Sequence, residues 1–441
     1  MLLVIPVTTP EGVAVTSVQL HDPARGNPSR SQRVAVVGQG YVGLPVAMLA
    51  ADRHFDVVGY DTDPERVAQL RAGHSFIGDV SDARLQAALQ SGRYSVTSDA
   101  DALSHFDIAL ITVPTPAVAG QPDLGCIEAA AKTVAAALRP GATVILESTT
   151  WPGTTEEVVA PLLETSGLRA GIDFALCYSP ERINPGAGLA SMATVPKVVS
   201  GLNEASLEKV SQFWGALTST VVPAPDIRTA EFSKLMENVF RLVNVSLVNE
   251  LAQHAGSLGV DIRDAVRIAA TKPYGYMPFT PSCGAGGHCL PVDTKYLTWT
   301  IRQAGGVADL VEAADRVNEQ MPMWVADRIT EGLGRHGETA TESRVLAVGI
   351  TYKPDVADLR ESSAMRVVTE LRSRGIRVDI YDPVVGGIPG VAGELTTDMV
   401  QAATAVVLLV DHSCLDLELI ATGSYVFDTR GCLAGANVES L

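Results

Sequence analysis

The chain has 441 residues, 46% of them hydrophobic, which is enough for two or three domains with sizeable cores. Its formal net charge of −17 argues against a nucleic-acid partner, because phosphates need a basic face, and it disfavours an anionic membrane surface. The six cysteines are scattered without a C-x-x-C pair, so we expect no disulfide framework and no metal site. Reduced thiols and a cytoplasmic location fit this pattern best.

The first 30 residues begin with an apolar run that no basic residue precedes, so a secretory signal is not expected. We interpret residues 1–30 as an extension outside the fold, ordered or disordered. The apolar stretch 34–51 is interrupted by three glycines and Pro45. It therefore predicts a buried strand, a turn and a helix rather than a membrane span.

From residue 31 to about residue 222, short apolar strands alternate with helical stretches. Strands are predicted at 34–37, 56–60, 108–113, 143–147, 174–178 and 197–200, and helices at 127–138 and 154–165. Alternation of this kind indicates a doubly wound parallel sheet, so residues 31–222 are predicted to form one Rossmann-like domain.

Residues 223–330 differ, because the segment 229–258 has apolar residues at helical spacing and no glycine before Gly256. It predicts one long helix within a helical region, and its apolar residues on more than one face favour a homodimer. From residue 331 to 441 the alternation resumes, with strands at 344–350, 377–381, 406–410 and 425–427 and a helix at 362–373. The predicted fold class is therefore α/β, with two doubly wound Rossmann-like domains joined by a long central helix and helical region.

A glycine-rich turn, Gly38-Gln-Gly40-Tyr-Val-Gly43, follows the first strand and opens a helix. The glycines allow a tight turn and the close approach of a pyrophosphate, and the helix N-terminus favours the anion. Asp61 ends the next strand at the spacing where a carboxylate binds a ribose 2′-hydroxyl, which favours NAD over NADP. Arg66 lies near enough to join that contact and keeps NADP open, and a glycine turn without a ligand is the alternative. The predicted cofactor residues in this region are Gly38, Gly40, Tyr41, Val42, Gly43, Asp61 and Arg66.

Lys234 and Asn238 are four residues apart in the predicted long helix and therefore project from one face. An ammonium and an amide side by side are suited to stabilising a developing oxyanion. The alternative is a solvated helix face, on which Glu231 and Glu237 would supply salt-bridge partners for the lysine.

Two loops follow strands of the first predicted sheet, at the edge where ligands bind in such sheets. Glu181 lies in one of them and is a candidate general base or water-orienting group; exposed surface charge is the alternative. Ser148 and Thr149 lie in the other, where their hydroxyls are suited to orienting a water or a substrate hydroxyl. A Ser/Thr helix cap is compatible with that role.

In the second predicted sheet, the segment 351–363 links a strand to a helix, with Ser362 as a good N-cap. The helix N-terminus together with Lys353 and Arg360 would form a diphosphate site. Alternatively, Asp358 and Glu361 pair with these two cations.

Cys289 lies in the glycine-rich segment Cys283-Gly-Ala-Gly-Gly-His-Cys289-Leu-Pro-Val-Asp293. Glycines let a ligand approach the backbone closely, and a thiol beside a nicotinamide cofactor suggests covalent aldehyde chemistry. A buried structural cysteine is the alternative. His288 is adjacent and would lower the thiol pKa if it faced the thiol, although packing or substrate contact is the simpler role for a neighbour in sequence.

Taken in order, these motifs resemble the UDP-glucose/GDP-mannose dehydrogenase family from residue 33 to about residue 432. The resemblance is carried by the glycine turn, Val113-Pro-Thr115-Pro, Ser148-Thr149, Pro180-Glu181, Lys234-x-x-x-Asn238, Gly286-Gly-His-Cys289-x-x-x-Asp293 and Lys353 with Arg360-Glu-Ser. It implies an NAD-binding domain, a central dimerisation region and a C-terminal domain for a UDP-sugar. It also implies a double oxidation of the sugar C6 alcohol to a carboxylate with two NAD.

The resemblance also implies individual roles. Cys289 would be the nucleophile, Lys234 and Asn238 would hold the oxyanion, and Asp293 would assist the thiol and the water. Glu181 would serve in acid/base work during thioester hydrolysis. The remaining expected contacts are Thr149 for water and cofactor, Thr115 for cofactor, and Glu181, Arg182, Lys234, Asn238, Lys353 and Arg360 for substrate.

The local sequence around these motifs is similar to that of the UDP-N-acetylhexosamine branch of the family. Within that branch it is more similar to UDP-N-acetylglucosamine than to UDP-N-acetylmannosamine 6-dehydrogenases. Val292 stands where the UDP-glucose branch has lysine. Many relatives have Gly-Pro-Gly where this chain has Ser282-Cys283-Gly284, which affects the expected loop shape. UDP-N-acetylmannosamine, UDP-glucose, and a non-catalytic NAD- or nucleotide-sugar-binding regulator remain alternatives.

Overall fold

A computed structural model describes residues 3–8, 14–19 and 31–441, except residues 119, 185, 187, 288 and 289. The chain forms two compact units. Unit 1 comprises Met1–Met236 and Lys295–Thr300, and unit 2 comprises Glu237–Thr294 and Ile301–Leu441. The division falls inside two helices, so the predicted three-domain boundaries at residues 31, 223 and 331 stay predictions.

Unit 1 is built on a ten-stranded sheet. Its strands are β1 Leu3–Thr8, β2 Ala14–Gln19, β3 Arg33–Val37, β4 Asp56–Tyr60, β5 Tyr94–Thr97, β6 Ile108–Ile111, β9 Thr143–Leu146, β10 Ala175–Tyr178, β11 Lys197–Gly201 and β12 Val221–Pro223, with β7 Ala117–Val118 and β8 Gln121–Pro122 as a separate pair. The strand order is β1-β2-β12-β11-β10-β9-β6-β3-β4-β5. Because β3 has β4 on one side and β6 on the other, the chain reverses direction along the sheet there, which leaves a ligand crevice beyond the carboxyl ends of the strands.

The helices of this unit cover the sheet. They are α1 Gly43–Asp52, α2 Pro64–Arg71, α3 Asp82–Gln90, α4 Gly125–Ala137, α5 Ala160–Glu164, α6 Gly188–Thr194 and α7 Glu204–Leu217, with a 3₁₀ turn at Ala100–Leu103 and a π-helix at Thr155–Val159. Helix α1 is nearly all apolar, because it packs on β3 and β4, and α7 buries Phe213 and Trp214 in the same hydrophobic core.

Two features of this sheet differ from the sequence-based expectation. Strand β11 pairs antiparallel with β10, with Cys177 opposite Gly201, so the sheet is mixed rather than parallel throughout. Antiparallel neighbours need no long crossover, and only the short α6 lies between these strands. In addition, β1 and β2 pair with each other, and Val18 of β2 pairs with Val221 of β12. The free edge of β12 is thereby extended by residues expected to lie outside the fold.

Unit 2 contains a six-stranded parallel sheet in the order β15-β14-β13-β16-β17-β18. Its strands are β13 Arg344–Val348, β14 Arg377–Tyr381, β15 Val391–Ala392, β16 Ala405–Leu408, β17 Val426–Asp428 and β18 Val438–Ser440, and its helices include α12 Ser363–Ser373, α13 Thr397–Ala402 and α14 Leu417–Ile420. Helix α11, Asp309–Arg335, packs on α12 and buries Met321, Val325 and Ile329 in the core of this unit.

The remaining helices are α8 Ile227–Ala255, extended by a 3₁₀ turn at Gly256–Leu258, then α9 Ile262–Ala269 and α10 Leu290–Gln303. The predicted long helix at 229–258 is thus present, and the predicted α/β fold class with two Rossmann-like sheets and a helical region is confirmed. Among the described residues, no helix combines the length and apolarity needed to cross a bilayer.

Candidate active site

The glycine-rich turn joins β3 to α1. Gly38 has φ +95°, a conformation that favours glycine, and its N–H donates to the Tyr60 carbonyl at 2.8 Å. At Gly43 an added Cβ would overlap the Gly38 carbonyl oxygen, so packing alone demands glycine there. At Gly40 an added Cβ would meet no atom within 4 Å. Packing therefore does not require the second glycine, and the space beside it is open to a ligand.

Asp61 is 5% exposed at the end of β4 and belongs to this turn. Its carboxylate accepts the N–H of Gln39 at 2.8 Å, the N–H of Asp63 at 3.0 Å and the Arg66 guanidinium at 3.0 Å. Arg66 is therefore partly neutralised by Asp61, which weakens it as a phosphate ligand. Thr115 is buried beyond β6, while Tyr41 and Val42 are half-buried in the turn. An open glycine, a helix N-terminus and an oriented carboxylate fit an NAD-type dinucleotide.

Lys234 and Glu181 face each other inside unit 1. They are 6% and 8% exposed, and the lysine Nζ donates to Glu181 Oε2 at 3.4 Å. The other carboxylate oxygen accepts the N–H of Ile183. The two alternatives, a solvated helix face for Lys234 and surface charge for Glu181, are therefore wrong. Thr149 is half-buried in the loop after β9.

Glu231 was considered as a salt-bridge partner of Lys234, but it holds a different loop. Its carboxylate accepts the N–H of Gly153 at 2.5 Å and both the N–H and the hydroxyl of Thr155, at 2.9 and 2.6 Å. Burial raises the pKa of Glu231 to about 7, although these hydrogen bonds favour the charged form. Helix α8 is thus attached to the loop that contains Thr149.

A second buried ion pair was not found by sequence reasoning. Lys197, at the start of β11, pairs with Glu147 at the end of β9 and also donates to the Pro180 carbonyl at 3.0 Å. The only sequence signal was a lysine opening an apolar strand. Arg182, expected to contact substrate, donates to the Pro196 carbonyl at 2.8 Å within the same unit.

In unit 2, Asn238 and Asp293 are brought together. They are 4% and 3% exposed, and the Asn238 amide donates to Asp293 Oδ2. Asp293 lies in the first turn of α10, immediately after the cysteine loop. Cys289 and His288 themselves lie outside the described residues, so their predicted roles stay predictions.

The described part of the cysteine loop is closely held within unit 2. Asn318 accepts the N–H of Ala285 at 2.6 Å and donates to its carbonyl at 3.0 Å. At Gly286 an added Cβ would overlap the carbonyl oxygen of Glu361, so this glycine is required for packing. Cys283 is buried in the hydrophobic core beside α11, and burial raises the pKa of its thiol to about 11. It is a structural cysteine.

At the second sheet, Ser362 caps α12 as predicted, accepting the N–H of Met365 at 3.2 Å. Arg360 is bound to Asp358 through its Nε and Nη2 at 2.7 to 3.0 Å, which is the ion pairing left open by the sequence. Arg360 and Lys353 as diphosphate ligands therefore stay predictions.

A hydrogen-bonded cluster missed by the sequence ties three strand ends of this sheet together. His412 Nε2 contacts Asp382 at 3.1 Å, and its Nδ1 accepts the N–H of Asp355 at 2.9 Å. Because Nδ1 is an acceptor, the ring is neutral with its proton on Nε2. Asp382 also accepts the N–H of Ile350 at 2.7 Å. Burial opposes its ionisation, but these hydrogen bonds hold its pKa below the usual value.

Within the described residues, no group of three or more His, Cys, Asp and Glu side chains is arranged to hold a metal ion. The described groups offer acid/base and oxyanion chemistry, and unit 1 also contains a dinucleotide-type turn.

Comparison with known proteins agrees with this arrangement. Three family models match: the NAD binding domain of the UDP-glucose/GDP-mannose dehydrogenase family at residues 32–217, its central domain at 228–320 and its UDP binding domain at 346–435. A UDP-N-acetyl-D-mannosamine dehydrogenase from Pyrococcus horikoshii is 35% identical over 381 residues, covering 86% of this chain and 89% of that protein. A UDP-N-acetyl-D-glucosamine 6-dehydrogenase from Pseudomonas aeruginosa is 37% identical over 356 residues, covering 80% and 83%.

A solved structure of a UDP-D-ManNAc dehydrogenase from Pyrococcus horikoshii has a TM-score of 0.85 to this chain at 33% identity, covering 93% of this chain and 99% of that one. Both the sequence relatives and the fold therefore agree with the matched family models. The chain belongs to the UDP-glucose/GDP-mannose dehydrogenase family, and like its relatives it is an NAD-dependent nucleotide-sugar dehydrogenase.

Proposed function

We propose that this protein is a UDP-N-acetylglucosamine 6-dehydrogenase that oxidises the sugar C6 alcohol to a carboxylate in two steps. The observation that carries the two-step oxidation is the burial of the groups assigned to catalysis, whereas the choice of sugar rests on the similarity of the local sequence to the glucosamine enzymes. Lys234 with Glu181 and Asn238 with Asp293 form two desolvated polar pairs, one in each unit. Burying such groups costs desolvation free energy, and apolar residues of similar volume often stabilise a core as well, so packing alone does not account for these pairs.

NAD, when bound at the turn of Gly38, Gly40 and Gly43, supplies the hydride acceptor for each oxidation. In the first step the C6 hydroxyl loses its proton to a base or water and a hydride leaves C6, which gives an aldehyde. Lys234 and Asn238 stabilise negative charge that develops on the C6 oxygen, an effect worth about 3 kcal/mol per donor in other enzymes.

The second oxidation uses the proposed nucleophile Cys289. Its thiolate adds to the aldehyde carbon and the carbonyl oxygen takes up a proton, giving a thiohemiacetal. Loss of that proton and of a second hydride, which a second NAD would accept, gives a thioester. Water then attacks the thioester carbonyl, with Glu181 and Asp293 taking up the proton and Thr149 helping to orient the water. The bond between the acyl carbon and the Cys289 sulfur breaks, and the products are the uronic acid and the Cys289 thiolate.

The test is to incubate the protein with NAD and each UDP-sugar while following NADH and the sugar acid. Two NADH per sugar are expected for the wild type, and Cys289→Ser should form no net uronic acid. Normal uronic acid production by that variant would contradict the thioester mechanism. No NADH with any sugar would instead support a non-catalytic NAD- or nucleotide-sugar-binding regulator.

A second substrate, UDP-N-acetylmannosamine, is favoured by the Pyrococcus horikoshii relative, which spans more of this chain than the glucosamine enzyme does. The two sugars differ only in configuration at C2. Comparing kcat/KM for both, with UDP-glucose as a third substrate, decides between them. A higher kcat/KM for the mannosamine sugar would replace the glucosamine proposal and leave the mechanism unchanged.

We also propose that the protein acts as a cytoplasmic homodimer. Phe240, Leu247 and Leu251 of α8 are about half exposed, and their spacing of seven and four residues puts them on one helix face. A second copy of this chain is the proposed occupant, and Leu247→Glu with Leu251→Glu should halve the mass measured by light scattering. Leu310→Glu, at another exposed leucine, is the control.

A further inference from the structure

Lys197 is a buried cation that contacts several elements of unit 1. Its side chain is 7% exposed, and its ammonium donates to Glu147 and to the Pro180 carbonyl. The ammonium also lies 4.0 Å from the centroid of the Trp214 ring. One group therefore connects the end of β9, the loop after β10 and helix α7.

Joining strands through this buried ion pair costs desolvation free energy. Burial raises the pKa of Glu147, the Lys197 ammonium opposes that shift, and the nearby Glu181 carboxylate adds to it. Within the described residues, Glu147 Oε2 and Trp214 Nε1 have no hydrogen-bond partner. A cavity of about 20 Å³ next to Lys197 and Trp214 has room for one water. Apolar residues of similar volume often stabilise a core as well as a buried ion pair does, so stability alone does not account for it.

The position of the pair along the chain supplies a different reason. Glu147 directly precedes Ser148 and Thr149, and Pro180 directly precedes Glu181. Ser148 in turn donates to the Val113 carbonyl at 2.7 Å. The Lys197 ammonium thus holds the two loops that carry the proposed acid/base group and the proposed water-orienting hydroxyl.

We propose that Lys197 and Glu147 are positioning residues that fix the Glu181 loop, so that its carboxylate stays against Lys234. This inference rests on the proposed function, in which Glu181 takes part in thioester hydrolysis. Without the ammonium, the Pro180 carbonyl loses its donor and the Glu181 loop becomes more mobile. The dinucleotide turn and Asp61 are held by other contacts, so their part in NAD binding is unaffected, and NAD binding should change less than the chemistry does.

The test is a double-mutant cycle of Lys197→Met and Glu147→Gln. The readouts are the free energy of unfolding, kcat, both KM values and hydrogen exchange at the Ile183 amide, which donates to Glu181. Lys197→Met leaves a buried carboxylate unpaired and should be destabilised, and the double variant should recover much of that stability. Arg93→Met, which removes the partly exposed pair of Arg93 with Asp56 at 2.6 Å, is the control and should leave kcat unchanged.

A positioning role predicts that kcat of the double variant stays at least about 10-fold below wild type while the KM for NAD changes by less than kcat does, because small misplacements of catalytic groups are costly. Exchange at Ile183 should be faster in both Lys197 variants. Recovery of kcat together with stability would overturn the proposal, as would a destabilised Lys197→Met with normal kcat. If the double variant does not fold, Glu147→Gln alone tests the proposal, since it keeps the side-chain volume. An unchanged kcat with unchanged hydrogen exchange at Ile183 would contradict the positioning role. A fall in kcat with faster exchange would support it.

The two proposals can fail separately. Absence of NADH from the wild type with every sugar would contradict the proposed function, and exchange at Ile183 would still test whether Lys197 holds the Glu181 loop.

Discussion

The loops at the carboxyl ends of the two sheets hold their polar residues in different ways. In unit 1, the ammonium groups of Lys197 and Lys234 face the buried carboxylates of Glu147 and Glu181. In unit 2, Asp382 and the neutral ring of His412 bind each other and backbone N–H groups of the loop after β13. The first arrangement depends on desolvated charge, and the second mainly on hydrogen bonds to the backbone.

This difference matches the chemistry proposed for each sheet. Desolvated charge is strongly felt by a reacting group nearby, because the local dielectric is low. A cluster that is hydrogen-bonded to the backbone adds little net charge, but it fixes the conformation of a loop. Selective binding needs such a fixed conformation. Substitutions of these buried charged groups in unit 1 should therefore act mostly on kcat or on pH dependence, and substitutions in the His412 cluster of unit 2 mostly on the KM for the UDP-sugar.

The largest effect is expected from Lys234→Met. It removes the proposed oxyanion donor and leaves Glu181 without this buried cation, so kcat should fall by about 10²- to 10³-fold. The KM for NAD should stay near the wild-type value. Lys132→Met, at an exposed pair with Glu128, is the control. If steady-state kinetics showed a raised KM for the sugar and a normal kcat, the proposal that the buried charges of the first sheet act on kcat would be contradicted.

The pH dependence of the free energy of unfolding should reveal the raised pKa of Glu231. A carboxyl whose pKa is raised in the folded state, here from 4.5 to about 7, adds stability that is fully present below pH 4.5 and is lost as the pH rises through 7. Wild type should therefore lose stability relative to Glu231→Gln between about pH 5 and pH 8, by at most ~3 kcal/mol. Urea unfolding at several pH values measures this difference. A difference that grows in favour of wild type would show that the hydrogen bonds from Gly153 and Thr155 outweigh burial.

The glycine turn provides a matched pair of substitutions. Gly40→Ala adds a methyl group where the protein has open space, so the free energy of unfolding should change little while the KM for NAD rises by about 10-fold or more. Gly43→Ala puts the same methyl group onto the Gly38 carbonyl and should lower the stability itself. Thermal unfolding with and without NAD separates the two. Equal destabilisation by both would contradict the open space beside Gly40, and an unchanged KM for NAD in Gly40→Ala would show that this space is not a ligand site.

The smallest effect is expected in unit 2, from His412→Phe. It breaks the bonds to Asp382 and Asp355 and should raise the KM for the UDP-sugar by about 3- to 10-fold, with kcat nearly unchanged, since each lost hydrogen bond is worth ~1 kcal/mol. His336→Phe is the control, because His336 contacts Gly332 and stacks on Tyr425 instead. A fall in kcat larger than the rise in KM would contradict the proposal that the two sheets affect different kinetic constants.

The sequence predicted the features that depend on local pattern. The cap at Ser362, the turn at Gly38 and Gly43 and the long helix α8 all follow from neighbouring residues. The pair of Lys197 and Glu147 could not be predicted, because its members are 50 residues apart and neither belongs to a motif. Closeness in the helix made Glu231 an alternative salt-bridge partner for Lys234, but the loop that Glu231 binds lies more than 70 residues away in the sequence.

Cys283 has a practical consequence for labelling the cysteine loop. With a thiol pKa of about 11, only about one molecule in a thousand carries the reactive thiolate at pH 8. Alkylation at Cys283 is therefore slow, and its burial in the core slows it further. Fast alkylation within this loop is therefore expected at Cys289 and not at Cys283, and fragment-ion mass spectrometry of the peptide spanning both positions checks which thiol is modified.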